Sequence, residues 1–82
     1  MITIENKELL SYKSKLKRMR ISRGLTQLEL SELSGVNIKS ISLYEQYPVK
    51  INKASIETIS LLSDSLGCNI EDLIETKYMV AV

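Results

Sequence analysis

Any chemistry in this chain has to be done without histidine, which is absent, and with one cysteine, Cys68, that has no second thiol for an internal disulfide. Those absences remove the usual general base near neutral pH, every Ser-His or Cys-His nucleophile pair, and any zinc-ligand spacing. What remains is charge. Lys13, Lys15, Lys17, Arg18, Arg20 and Arg23 fall in one short run with no acid among them. On a helix face such a run is either a positive surface toward phosphate or an ordinary solvated face. The asymmetry extends along the chain. Residues 1–53 hold ten Lys or Arg against five acids, and residues 54–82 one Lys against five acids, although the net charge is only +1. An electrically polar molecule is expected.

A second constellation lies in Thr26–Glu45. Two short helices that cross steeply need a small residue where the backbones touch, a turn residue that takes positive φ, and an apolar anchor in the second helix. Ser31, Gly35 and Ile41 stand at those places, with Leu30, Val36 and Tyr44 as the shared apolar positions. That is the pattern of a helix-turn-helix at 26–46.

The elements that hold these groups read as helices throughout, because apolar residues recur at three- and four-residue steps. Eighty-two residues allow a single domain, 1–82, near the lower size limit for a sufficient core, and 44% hydrophobic with 26% charged residues is a globular composition. The first helix is predicted from about Glu5 or Glu8 to Arg23, closed by Gly24, with the basic run outward. Thr26 with Glu29 forms a capping box for a helix over 27–34 that ends at Gly35. Asn37 caps a third helix over 38–46, and an irregular stretch around 47–52 follows because Pro48 disfavours helix before it. Ser55 caps a fourth helix carrying Ile56, Ile59, Leu62 and Leu66 on one face, closed by Gly67. Asn69 and Asp72 start a fifth, short helix to about Glu75, and 76–82 is a tail. No apolar run approaches the roughly 20 residues that cross a bilayer, and the amino terminus lacks a basic segment followed by an apolar one, so no membrane partner is expected. With one cysteine, a reducing cytoplasm fits best.

In order and spacing, Leu16-Lys17-Arg18-Met19-Arg20, Gly24-Leu25-Thr26-Gln27, Ser34-Gly35-Val36, Ile41-Ser42-Leu43-Tyr44-Glu45, Ser55-Ile56-Glu57, Leu66-Gly67 and Asp72-Leu73 resemble the lambda-repressor-like helix-turn-helix family of the Cro and phage-repressor type. The resemblance covers about residues 16–75. It implies a compact all-α, five-helix domain that binds double-stranded DNA as a transcriptional regulator, usually as a homodimer on a palindromic operator. A repressor in a bacterial or phage cytoplasm, on the nucleoid when bound, is the expectation, with no catalysis, cofactor or metal.

Under that resemblance the third helix reads DNA. Turning Ile41 and Tyr44 inward turns Lys39, Ser42, Leu43 and Gln46 outward and leaves Ile38 at the exposed amino end. Ile38, Lys39, Ser42 and Leu43 are the base-reading candidates: Lys39 donates to guanine O6 or N7, and the two aliphatic groups pack on thymine methyls or else mark a protein partner. The phosphate candidates are Gln27, Ser40, Gln46, Lys17, Arg23, Lys50 and Lys53, and Lys13 is a further plausible backbone contact. The resemblance assigns Arg20 and Glu45 to an internal ion pair. Cys68 is expected to be a packed thiol, and Glu71, Asp72 and Glu75 a solvated acidic patch. Two rival readings stay open: an antitoxin that binds a toxin and autoregulates its operon, and a helix-turn-helix turned to protein interaction through Ile38 and Leu43. The apolar Tyr78, Met79, Val80 and Val82 are candidates for a dimer contact.

Overall fold

Side chains of Ser, Thr and Asn begin each main helix by satisfying amide groups that the helix itself leaves unpaired. The computed structural model describes residues 12–75. The expected tail contact at 78–82 and any helix before residue 12 lie outside them. Helix α1 spans Lys15–Ser22, α2 Gln27–Ser34, α3 Ile38–Gln46 and α4 Ile56–Leu66. A 3-10 helix, Pro48–Lys53, joins α3 to α4, and the fifth of the expected helices is a single 3-10 turn, Ile70–Asp72. The described residues contain no strand.

The capping box of α2 is reciprocal: the Glu29 N–H donates to Thr26 Oγ1 at 3.0 Å and the Thr26 N–H to Glu29 Oε1 at 2.8 Å. At α3 the Lys39 N–H donates to Asn37 Oδ1 at 2.7 Å, and at α4 the Thr58 N–H donates to Ser55 Oγ at 3.1 Å. Between α2 and α3, Gly35 takes φ +79°, and the backbone of Val36 is held at both ends. Ser31 Oγ donates to the Val36 carbonyl at 2.7 Å, and the Val36 N–H donates to Ser34 Oγ at 3.0 Å. A Cβ at Gly35 would meet nothing within 4 Å, so only the backbone conformation resists it. Gly35→Ala is therefore expected to cost about 1–2 kcal/mol in urea unfolding, with the fold retained.

Leu16, Leu30, Ile41, Ile51, Leu62 and Leu73 are fully buried together, one from each helix or its immediate flank. The helix-turn-helix is thereby packed onto α1, α4 and the 3-10 helix in a single apolar cluster, whose burial supplies the main drive to fold.

Four expectations need correction. The first helix does not run unbroken through 12–14: buried Ser14 is extended (φ −83°, ψ 126°) and accepts from the Lys17 N–H at 3.0 Å, so α1 starts at Lys15. The stretch expected to be irregular is ordered as a 3-10 helix, with Pro48 in its first turn, where a missing N–H is harmless, and Ile51 driven into the core. Ile56 does not share the buried face of Ile59, Leu62 and Leu66. It is the first residue of α4 and stays 69% exposed.

The fourth concerns the acidic patch. The fifth helix stops at Asp72, and Glu75 is 4% exposed. Its Oε2 accepts from the Lys15 N–H at 2.7 Å and so caps α1 from 60 residues away. Its backbone exchanges two bonds with Asn52, Glu75 N–H to Asn52 Oδ1 at 3.0 Å and Asn52 Nδ2–H to the Glu75 carbonyl at 2.8 Å. Asp72 is half-buried and accepts from the Asn69 N–H at 2.9 Å, which leaves Glu71 as the exposed acid of the three.

Candidate nucleic-acid interface

Helix α3 has one buried side. Ile41 is fully inside and Tyr44 packs half-buried on the core, so Lys39, Leu43 and Gln46 point outward, flanked by half-buried Ser42 and Ser40. Ile38 stands exposed at the leading end of the helix. The structure thus places the base-reading candidates Ile38, Lys39 and Leu43 on one outward stripe of α3, with Ser42, expected to face outward, half-buried within it.

The stripe is oriented by charge. Arg20 Nε donates to Glu45 Oε2 at 2.7 Å and its Nη2 to Glu45 Oε1 at 2.8 Å, a bidentate pair whose side chains are 10% and 3% exposed. Arg20 Nη1 also donates to the Leu25 carbonyl at 2.7 Å. The ion pair expected from the resemblance is therefore present and ties α1, the turn before α2, and the end of α3 together. Planar two-point bonding of this type fixes angle as well as distance.

Gln27, read from the sequence as a phosphate contact, joins this network: its Nε2 donates to Glu45 Oε1 at 3.1 Å. That bond uses one of the two amide N–H groups.

Most of the basic run turns out to serve the fold, a use that neither reading of it, phosphate-facing surface or solvated face, provides for. Lys15 Nζ donates to the carbonyls of Glu71 (2.8 Å) and Ile74 (2.9 Å). Arg23 Nε donates to the Leu66 carbonyl at 2.8 Å, closing the C-terminal end of α4, where a cation is favoured. Arg18 reaches the Lys13 carbonyl at 3.4 Å, and the Lys17 ammonium lies 4.7 Å above the Tyr12 ring.

Exposed lysines gather elsewhere. Lys13, Lys50 and Lys53 line a groove of about 430 Å³ with Gln46, Tyr47, Pro48 and Val49. No acid among the described residues lines it, and Gln46 connects it directly to the last turn of α3. Lys50 and Lys53 lie close in sequence, but only the tertiary fold adds Lys13, so no local signal could have placed all three together.

A second, polar groove of about 650 Å³ is lined by Ser60, Ser63, Asp64, Cys68, Asn69, Ile70 and Glu71. Burial, and then the Asp72 charge, push the Cys68 thiol above its ordinary pKa against a smaller opposing pull from Arg23. Cys68 packs on the core and stays protonated near neutral pH, as expected of a structural thiol. No helix among the described residues is long and apolar enough to cross a membrane.

An outward-facing second helix of a helix-turn-helix, fixed by a buried ion pair and bordered by a lysine-lined groove, is the arrangement of a DNA-binding domain. The helix-turn-helix family model matches residues 16–73, and the chain belongs to that family, of the lambda-repressor and Cro type, whose members are DNA-binding regulators. No curated protein and no solved structure matches the chain significantly.

Proposed function

We propose that the protein is a repressor that binds a palindromic operator as a homodimer, inserting one α3 per half-site into the major groove. The carrying observation is the outward stripe of α3, mounted on the buried Arg20–Glu45 pair and bordered by the lysine groove. Lys39 donates to guanine O6 or N7, and Ser42 bonds a neighbouring base edge. Lys13, Lys50, Lys53, Gln46, Ser40 and the second amide N–H of Gln27 hold the phosphates, which position the helix without reading sequence. Lys17 and Arg23 contribute through whatever N–H groups their internal contacts leave unused. Two copies on a palindrome place their α3 helices about 34 Å apart, one turn of DNA. The exposed Leu28, Leu33, Ile56 and Leu61 on α2 and α4 support a second reading, an autoregulating antitoxin in which a toxin covers those side chains.

The test is selection from a random duplex library at two salt concentrations. Native protein is expected to enrich a palindrome. Lys39→Ala is expected to lose about 1–3 kcal/mol on the selected site and to relax preference at one position per half-site. Lys50→Ala is expected to weaken binding evenly across sequences and to reduce the salt slope by about one. No enrichment, with only weak and steeply salt-dependent binding, would sink the proposal.

A further inference from the structure

Two side chains on the reading stripe cannot hydrogen-bond a base. Ile38 is 37% and Leu43 41% exposed, on a nine-residue helix whose remaining outward positions are polar. Leu43 lies one turn beyond Lys39, and Ile38 one turn before Ser42, so each aliphatic group sits beside a residue able to bond a base edge. The charge around them selects the occupant. Glu45, the sole acid of α3, is sealed against Arg20, while Lys39 on the stripe and Lys50 and Lys53 in the adjoining groove are exposed. An apolar spot in such a frame fits an apolar spot on a polyanion. On the edges of B-form DNA in the major groove, the only such spot is the methyl group on C5 of a pyrimidine.

Resting on the DNA-binding reading above, we infer that Ile38 and Leu43 recognise pyrimidine 5-methyl groups, and therefore that 5-methylcytosine can replace thymine at the positions they face. Thymine offers an O4 acceptor beside its methyl, and methylated cytosine an N4 donor. An aliphatic side chain is blind to that difference and contacts only the methyl group. Unmethylated cytosine and uracil present a bare C5–H and leave the side chain facing a gap. Occupancy at a site with cytosine at either position thus responds to methylation of that cytosine, without any change in the protein.

The test uses the duplex selected by the native protein, altered one base at a time. Thymine to uracil removes one methyl and nothing else. A roughly fourfold loss of affinity is expected at one or two positions in each half-site, the value for about one buried methyl, and less than twofold elsewhere. At those positions cytosine is expected to bind about as weakly as uracil or worse, and 5-methylcytosine to recover about fourfold over cytosine. Ile38→Ala and Leu43→Ala, both at exposed positions, should each abolish the methyl effect at one position while a distant position keeps its preference.

A selected site at which every uracil substitution is neutral overturns the inference and leaves the DNA-binding reading standing, and Ile38 and Leu43 then serve a protein partner. A methyl effect that persists unchanged in both alanine variants also overturns it, since the methyl would then act through DNA shape. Failure to select any site removes the parent reading and this inference with it.

Discussion

Glu45→Ala is expected to lower the unfolding free energy by about 3–5 kcal/mol, the range for breaking a buried pair on one side. Truncation strands the guanidinium of Arg20, whose side chain is 10% exposed, without its Glu45 countercharge and takes the acceptor from Gln27 Nε2 as well. In a domain of this size each kcal/mol moves the midpoint by roughly 4–8 °C, so the thermal transition should fall by more than about 10 °C. The pair itself need not be worth that much. Arg20→Met combined with Glu45→Leu removes both charges, and most of the loss should return, because what destabilises is the orphaned ion. Thermal unfolding of the two single variants and the double variant gives the coupling directly. A Glu45→Ala loss below about 1 kcal/mol would place the pair with solvent-screened surface bridges and contradict the burial.

Ile41→Ala is expected to cost about 2–5 kcal/mol, through lost apolar transfer and the cavity left behind. Ile41 has no exposed surface and is the anchor by which α3 joins the common core. Leu43→Ala, two residues on and facing outward, should stay within about 0.5 kcal/mol of native. Under the proposed function the contrast separates holding α3 from reading with it: the first variant is expected to lose stability, the second DNA preference. Urea titrations should show a shifted midpoint for Ile41→Ala with the slope unchanged. Equal losses for the two variants would mean that α3 is seated differently on the core.

How much of this was legible in the residues follows the reach of each interaction. Thr26 with Glu29, Asn37, Ser55 and Gly35 act within three residues, so the ends of α2 and α3 and the start of α4 could be placed from local chemistry alone. Arg20 and Glu45 are 25 positions apart, and only the family resemblance joined them. The fate of the basic run was not readable. Lys15 and Arg23 end on carbonyls 43 to 59 positions distant, and a carbonyl carries no residue-specific signal that a sequence could display. Glu75 is illegible for the same reason, since an acid that caps a helix from 60 positions away looks in sequence like any other surface acid. The second serine of the turn, Ser34, could have been found: a hydroxyl two residues before a backbone N–H is a recognised local bonding pattern. Periodicity puts Ile56 on the buried face, but it fails on the first residue of a helix, where the wheel extends beyond the core.

The doubly bonded amide of Asn52 has a mechanical meaning. It grips the backbone of Glu75 from within the segment that carries Lys50 and Lys53, while the Glu75 carboxylate grips the start of α1. Residue 75 is thus a rivet through two plates, and a load applied there is delivered to the lysine loop and to α1 at once. Asn52→Ala would pull one side of the rivet and leave Glu75 holding only the start of α1.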